Sequence, residues 1–180
     1  AWIIGDDPAT AAVFEAGSAG ALKACVKWGV GVDNVDFAAA KRLDLPISNT
    51  PGVFGPEVAD IAMHYLTGLA RETFMIDRGV RDGNWPKPRG ISLKGMLAAG
   101  LTVRGVDPGF SNPAGLPGEQ ANWPDALKAA DFVVFTCPLN AETRHMLNSE
   151  TLAHAPSGLR VVNVSRGPVV DEAALIHALV

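Results

Sequence analysis

Short apolar runs alternate with helix-forming stretches along the first part of the 180-residue chain. Asp7 followed by Pro8 predicts the N-cap and first residue of a helix, and residues 34–44 predict a second helix. The apolar runs between them predict strands, because each is short and bounded by glycine, proline or polar residues. These strands are expected at residues 2–5, 22–31 and 45–50.

A longer helix is predicted to open at Pro56 and Glu57. Its apolar residues recur with a helical period, which indicates one face turned toward a core. Residues 81–90, "RDGNWPKPRG", are rich in glycine and proline and predict a loop. The apolar residues assigned to the helix face are Val58, Ile61, Ala62, Tyr65 and Leu69.

The remainder of the chain continues the same alternation. Nearly continuous apolar runs are typical of parallel strands that are buried on both faces, and three such runs lie at residues 101–107, 131–138 and 159–167. Helical stretches are expected around 123–130 and 149–153, and Asp171 is expected to cap a last helix. The β-α-β order predicts a doubly wound α/β fold, with two units facing each other across a cleft.

Composition narrows the class of protein. Apolar residues make up 48% of the chain, which is enough for a packed core, and the net charge is -4 without a basic cluster. Nucleic acid and anionic membranes are therefore not expected as partners, and no run is long enough to span a membrane. The N-terminus lacks the positive residues of a secretory leader, so we expect a cytoplasmic protein.

The metal-binding residue types show no ligand spacing. Cys25 and Cys137 are far apart and predict buried, reduced thiols. No histidine pairs with another histidine, a cysteine or an acid at the spacing of a metal site, so we expect none. Packing or surface positions are the preferred interpretation for the four histidines, which are His64, His145, His154 and His177.

Polar residues cluster where predicted strands end, which is where ligands bind in open parallel sheets. In "KWGVGVDNVD", Gly29 and Gly31 predict either an anion-binding loop of backbone N–H groups or an ordinary tight turn. Nearby, Lys27 could meet a phosphate or second carboxylate of a ligand, or could be a solvated lysine.

Two charged residues have the same pair of possible roles, functional or structural. Arg166, at the end of a predicted buried strand, could hold a carboxylate through two hydrogen bonds, or form an ion pair with Asp171 or Glu172. Asp107 could accept hydrogen bonds from ribose hydroxyls, which favours NAD over NADP, or could form a turn before Pro108.

Five stretches together resemble the D-isomer-specific 2-hydroxyacid dehydrogenases, especially their phosphoglycerate dehydrogenase-like branch. In the family's order they read "GVGVDNVD", "NTPGVFGPEVAD", "GVDPG", "TCPLNAETRHMLN" and "VVNVSRGPVVDEAAL". The resemblance implies two Rossmann-like doubly wound parallel-sheet domains around a cleft. Residues 1–54 would belong to the substrate-binding domain and residues 55–180 to the NAD-binding domain, both of them partial.

The resemblance also implies roles for individual residues. Arg166 corresponds to a catalytic arginine that binds the substrate carboxylate and carbonyl, and also lies along the cofactor. The backbone of Val30 and Gly31 corresponds to the site of the same carboxylate. The remaining residues correspond to positions along NAD: Thr50 near the nicotinamide, Asp107 at the ribose, and Cys137, Pro138, Thr143, Val164 and Ser165.

The sequence departs from the family in several places. The glycine-rich phosphate loop and the strand before it are absent between Gly95 and Met96, and the first N-terminal strand is absent. Either the molecule holds a segment that this sequence lacks, or the segment is truly deleted. We favour the first, because deletion would remove a central strand. The family's catalytic glutamate and histidine would lie beyond Val180, and Glu57 replaces a usual small residue.

Two functions follow from the resemblance. The first is an NAD-dependent dehydrogenase that moves a hydride between the nicotinamide and C2 of a D-2-hydroxy acid or the 2-keto acid, with 3-phosphoglycerate as one open substrate. The second is a non-catalytic protein that senses NAD(H) on the same scaffold, since fold alone does not fix function. A homodimer is the family's usual assembly.

Overall fold

A computed structural model describes residues 1–91, 102–109 and 118–180 of the chain. The fold divides into two compact units. The first unit comprises Ala1–Ala59 with Cys137–Arg144, and the second comprises Asp60–Thr136 with His145–Val180. The domain division after residue 54 stays a prediction. The expectation for the Gly95–Met96 junction lies outside the described residues.

The first unit contains a parallel sheet in the order β1-β2-β3, formed by Trp2–Ile4, Cys25–Lys27 and Ile47–Asn49. All three predicted strands are therefore confirmed. Helices α1 (Ala11–Ala19) and α2 (Phe37–Arg42) belong to the same unit. Their packing buries a small apolar core, in which Phe14 is fully buried and meets Trp2 edge-on. The core residues are Ile4, Ala9, Phe14, Cys25, Ala39, Ala40 and Leu45.

The first helix begins later than the sequence predicts. Asp7 and Pro8 do not start it, and Thr10 is the residue before α1. The reason is a tertiary pairing at Ala9, whose N–H donates to the Asn34 carbonyl at 2.8 Å. The Ala9 carbonyl in turn accepts from the Asp36 N–H at 2.9 Å. The chain stays extended through this parallel bridge, which a local capping pattern does not reveal.

The long helix predicted from Pro56 is confirmed as α3 (Gly55–Arg71). Its buried face agrees with the prediction at Ala62 but not at Val58, Ile61 and Tyr65, which are exposed. Leu66 and Ala70 are buried instead. The small side chains permit close packing, whereas the periodic pattern alone does not distinguish between two adjacent apolar stripes. A further helix, α4 (Thr73–Arg81), follows Glu72, whose φ of 56° breaks the chain direction. The predicted loop after it is confirmed.

The second unit holds two separate parallel ladders among its described residues. One pairs β4 (Arg104–Gly105) with β5 (Glu119–Gln120), and the other pairs β6 (Phe132–Phe135) with β7 (Arg160–Asn163). The α/β class with parallel strands is thus confirmed. The expected burial of the strand at 101–107 is wrong at Val103, which is 53% exposed. Strand β5 was not predicted because its two residues are polar.

Short helices complete the second unit near the predicted positions. A 3-10 helix spans Asp125–Ala129, and α5 (Ser149–Leu152) and α6 (Glu172–Ala178) follow. Asp171 caps α6 as predicted, since its carboxylate accepts from the Ala174 N–H at 3.2 Å.

Trp123 lies inside the second unit. Its indole N–H donates to the Met146 carbonyl at 3.2 Å. The ring packs edge-on against Phe135, with centroids 5.8 Å apart. The largest fully buried side chains of this unit are Leu127, Leu147 and Val169.

The two cysteines differ in environment. Both are thiols, and Cys25 is 2% exposed, as predicted, whereas Cys137 is only partly buried. Cys137 follows the end of β6, where the chain leaves the sheet, so the expectation of two fully buried thiols is wrong there. Within residues 1–91, 102–109 and 118–180, none of the helices is both long and apolar enough for a membrane span.

Candidate functional site

The loop after β2 is tied to the end of β3 by Thr50. The Gly29 N–H donates to Thr50 Oγ1 at 2.8 Å, and the Thr50 N–H donates back to the Gly29 carbonyl at 3.2 Å. Gly29 has a φ of 132°, in the region that favours glycine. Beside it, Asn49 donates its side-chain amide to the Val30 carbonyl at 3.2 Å. The loop is therefore fixed through its carbonyl groups.

Two successive N–H groups of this loop stay available. In the described part of the chain, no protein acceptor takes the N–H of Val30 or Gly31. Val30 is 65% exposed, so the N–H groups lie on an accessible loop. Adjacent unpaired donors can receive a carboxylate, and Asn49 holds the carbonyl of Val30. The choice between an anion-binding loop and an ordinary tight turn stays a prediction.

The other end of the loop is anchored to the end of β1. Lys27 donates from Nζ to the Gly5 carbonyl at 2.6 Å, and Asn34 donates to the same oxygen at 3.0 Å. Asn34 also donates to the Asp7 carbonyl at 2.8 Å. Lys27 is 2% exposed, with the exposed Asp6 carboxylate 3.8 Å from Nζ. The interpretation of Lys27 as a solvated side chain is wrong.

Asp107 is exposed at the end of β4 and accepts the Gly109 N–H at 2.8 Å. This contact is the turn that the Asp107-Pro108 sequence predicts. It engages only one oxygen, and a carboxylate has further lone pairs on both oxygens. The side chain can therefore form the turn and still accept a hydroxyl.

Internal hydrogen bonds hold the segment with Cys137, Pro138 and Thr143 in a turn. Thr143 Oγ1 donates to the Pro138 carbonyl at 2.6 Å and accepts the Asn140 N–H at 2.9 Å. The Asn140 side chain caps the same turn by accepting the Thr143 N–H at 2.9 Å. The Thr143 hydroxyl thus serves the turn itself, a role that its position in the motif does not indicate. This segment belongs to the first unit.

Arg166 lies in the turn after β7, and the neighbouring Asn163 organises that turn. The Asn163 amide donates to the Arg166 carbonyl at 2.8 Å, and its oxygen accepts the Ser165 N–H at 2.9 Å. Val164 donates its N–H to the Phe135 carbonyl of β6 at 3.2 Å. Arg166 is half-buried with extended backbone, and Arg166 Nη1 is 3.3 Å from the Ser165 carbonyl.

The predicted site residues fall into groups. Val30, Gly31 and Thr50 share one loop cluster of the first unit, and Val164, Ser165 and Arg166 share one turn of the second. Asn34, Asn49 and Asn163 were not predicted as site residues, although all three hold loop backbones. An asparagine at the last residue of a strand was the available signal for Asn49 and Asn163, whereas Asn34 lies in the loop before α2. The residues that the structure describes contain no cluster of three metal-binding side chains.

Comparison with known proteins decides the family. Residues 94–180 match the family model described as "D-isomer specific 2-hydroxyacid dehydrogenase, NAD binding domain". Residues 94–180 of the chain therefore belong to the D-isomer-specific 2-hydroxyacid dehydrogenase family. The resemblance carried by the five sequence motifs is thereby confirmed.

Relatives within this family extend along almost the whole chain. The hydroxypyruvate reductase of Thermotoga maritima is 31% identical over 95% of this chain and 61% of its own length. The D-3-phosphoglycerate dehydrogenase 3 of Arabidopsis thaliana is 34% identical over 93% of this chain and 32% of its own length. The chain therefore spans less than two thirds of the length of each of these two relatives.

Solved structures of the family share the fold. The TT0316 protein from Thermus thermophilus matches with a TM-score of 0.85 and 30% identity, over 98% of this chain and 63% of that one. The apo-structure of D-lactate dehydrogenase from Escherichia coli matches with a TM-score of 0.82 and 25% identity, over 98% of this chain and 63% of that one.

The sequence alignment bears on the absent phosphate loop. The alignment with the Thermotoga maritima protein extends over 191 positions, although it uses only 95% of 180 residues. The relative therefore carries residues without a counterpart in this chain. This excess agrees with the absence of a segment that the junction of Gly95 and Met96 indicates.

Proposed function

We propose that the full protein is an NAD-dependent dehydrogenase that moves a hydride between the nicotinamide and C2 of a D-2-hydroxy acid or the corresponding 2-keto acid. The observation that carries the proposal is the loop after β2, which offers the N–H groups of Val30 and Gly31 to a carboxylate. Family membership supplies the reaction class. Because the chain spans only part of its relatives, the activity itself belongs to the proposal.

The protein's own residues would act as follows. The N–H groups of Val30 and Gly31 hold the substrate carboxylate. The guanidinium of Arg166 pairs with this carboxylate and stabilises negative charge on the carbonyl oxygen of the 2-keto acid. NAD, when bound, supplies the hydride chemistry, and the protein supplies orientation and charge. Val164 and Ser165, with Cys137, Pro138 and Thr143, would lie along the cofactor.

The fit of NAD to the described residues is good at the ribose. Asp107 is exposed and retains lone pairs after binding the Gly109 N–H, so it can accept a ribose hydroxyl. Its negative charge would repel a 2′-phosphate, which favours NAD over NADP. The glycine-rich loop for the pyrophosphate is not in the sequence between Gly95 and Met96, so this part of the cofactor site needs a further segment.

The relatives favour an enzyme over an NAD(H)-sensing protein, because those from Thermotoga maritima and Arabidopsis thaliana are named as a reductase and a dehydrogenase. Their names include both hydroxypyruvate and 3-phosphoglycerate. Lys27 does not support a phosphorylated substrate, since its ammonium is buried against the Gly5 carbonyl. A small unphosphorylated 2-keto acid such as glyoxylate or hydroxypyruvate is therefore the proposed substrate.

Steady-state oxidation of NADH with glyoxylate, hydroxypyruvate and 3-phosphohydroxypyruvate tests the proposal in the full protein. Arg166→Lys keeps the charge but loses the paired hydrogen bonds, so turnover should fall about 100-fold, equivalent to about 3 kcal/mol. NADH affinity should change much less than turnover. NADH binding without turnover of any of the three acids would instead identify the sensor.

The cytoplasm is the proposed location, and a homodimer is the proposed assembly. The dimer is supported by exposed apolar side chains on α3 and α4, where the Tyr65 and Phe74 rings are tilted against each other with centroids 6.2 Å apart and Met75 is also exposed. Light scattering after size-exclusion chromatography measures the mass. A monomer at micromolar concentration would contradict the assembly but not the activity.

A further inference from the structure

We propose that Thr50 is a positioning residue for the substrate carboxylate, acting through Gly29 rather than by touching the substrate. The inference rests on the proposed function, because it assigns the carboxylate to the loop after β2. It adds a residue whose hydroxyl acts from the end of β3, one strand away in the sheet.

The contact between Thr50 and Gly29 is reciprocal. The Thr50 hydroxyl oxygen accepts the Gly29 N–H at 2.8 Å, while the Thr50 N–H reaches the Gly29 carbonyl at 3.2 Å. Both polar backbone groups of Gly29 are thus bound by a single residue. Such a clasp fixes the peptide units on either side of Gly29, including the one that carries the Val30 N–H.

The conformation of Gly29 explains why the clasp is needed. Gly29 has a φ of 132°, and a glycine can adopt many other backbone conformations at little cost. Among the residues that the structure describes, no atom would meet a Cβ at Gly29 within 4 Å, so their packing does not confine the loop there. The hydrogen bonds of Thr50 are therefore the restraint at this position.

The rest of the loop is held independently of Thr50. Asn49 binds the Val30 carbonyl, and Asn34 and Lys27 hold the far end at the Gly5 carbonyl. Loss of the Thr50 hydroxyl would free the N–H of the peptide between Trp28 and Gly29, while these anchors and the bond from the Thr50 N–H to the Gly29 carbonyl persist. The expected effect is local: Gly29 can change its φ, the direction of the adjacent Val30 donor changes with it, and the fold remains.

The test uses Thr50→Val, which keeps the shape and removes the acceptor, and Thr50→Ser, which keeps the acceptor. Thr67→Val is the matched control, because the Thr67 hydroxyl bonds only to Met63 and His64 carbonyls of its own helix. The amide resonances of Gly29, Val30 and Gly31 are followed by ¹H–¹⁵N spectra during titration with oxalate, a carboxylate that does not turn over.

We expect Thr50→Val to shift all three amide resonances and to weaken oxalate binding about tenfold, with Thr50→Ser and Thr67→Val close to the parent. Unchanged Val30 and Gly31 resonances in Thr50→Val would overturn the positioning role. A parent that shows no oxalate-dependent shifts at these amides would instead refute the carboxylate site of the proposed function. The comparison of uncomplexed spectra still decides the role of Thr50 in that case.

Discussion

The ammonium group of Lys27 lies 2.6 Å from the carbonyl oxygen of Gly5, buried beneath the loop that follows β2. The same oxygen receives the side-chain amide of Asn34. The Gly5 carbonyl therefore accepts hydrogen bonds from the side chains of both Lys27 and Asn34. The Asp7 carbonyl accepts its side-chain hydrogen bond from Asn34. This asymmetry predicts that the two side chains differ in their contribution to stability.

Lys27→Met should change the free energy of unfolding by less than about 1 kcal/mol. The lost charged hydrogen bond is offset by relief of a buried charge, and Asn34 still satisfies Gly5. Asn34→Ala should cost about 2 kcal/mol, because it removes two hydrogen bonds and leaves the Asp7 carbonyl without its side-chain donor. Urea unfolding of both variants measures the difference, and equal losses would contradict it.

Asp107→Ala should weaken binding of NADH and reduce the preference for NADH over NADPH. The substitution removes the acceptor for the ribose hydroxyls together with the charge that repels a 2′-phosphate. Dissociation constants for both cofactors, measured in the full protein, check this. Asp107→Asn is the control that keeps an acceptor but loses the charge. A parent protein that binds NADPH as well as NADH would refute the assigned role of Asp107.

The two thiols should differ in reactivity. Burial raises the pKa of the Cys25 thiol, against a smaller opposing effect of the N-terminal charge. Since the thiolate is the reactive form, iodoacetamide should modify Cys137 first, with Cys25 reacting only on unfolding. The raised pKa also means that stability from the neutral Cys25 is present below the ordinary thiol pKa and declines as pH rises above it. Peptide mass mapping at pH 7.5 and 9 tests the order of reaction.

Insertion of a strand and glycine-rich loop between Gly95 and Met96 should strengthen NADH binding at least tenfold over the chain as given. A helix N-terminus with close backbone approach would then be available for the pyrophosphate. A length-matched glycine-serine insertion is the control, because it adds residues without the loop motif. Titration calorimetry measures both. Tight NADH binding by the uninserted chain would show that the missing segment is dispensable.

The strands of the first sheet were predictable because apolar runs and their breakers are local signals. The start of α1 was not, since Ala9 is held extended by Asn34 and Asp36, which lie more than twenty residues along the chain. Tertiary pairing overrode a favourable local cap at Asp7. The face of α3 was predicted correctly at Ala62 and wrongly at Ile61 for a related reason: both residues are apolar, and only the packing partner selects between them.

The part of the candidate site that depends on the type of a single residue could be predicted from the sequence. Glycine at residue 29 pointed to a special backbone conformation, and its φ of 132° confirms this. The clasp by Thr50 could not be inferred in the same way, because the pairing of β2 with β3 brings residues 29 and 50 together. Likewise, the burial of Lys27 depends on the ends of two strands meeting, which no single motif records.

The half-buried indole of Trp123 gives the second unit a fluorescence signal. Held by the Met146 carbonyl and the Phe135 ring, it should emit at shorter wavelength than Trp85, which is 75% exposed in the same unit. Trp28 of the first unit is 61% exposed in the loop after β2. With Trp2 and Trp85 replaced by phenylalanine, the fluorescence of Trp28 would report ligand binding, and that of Trp123 would report unfolding.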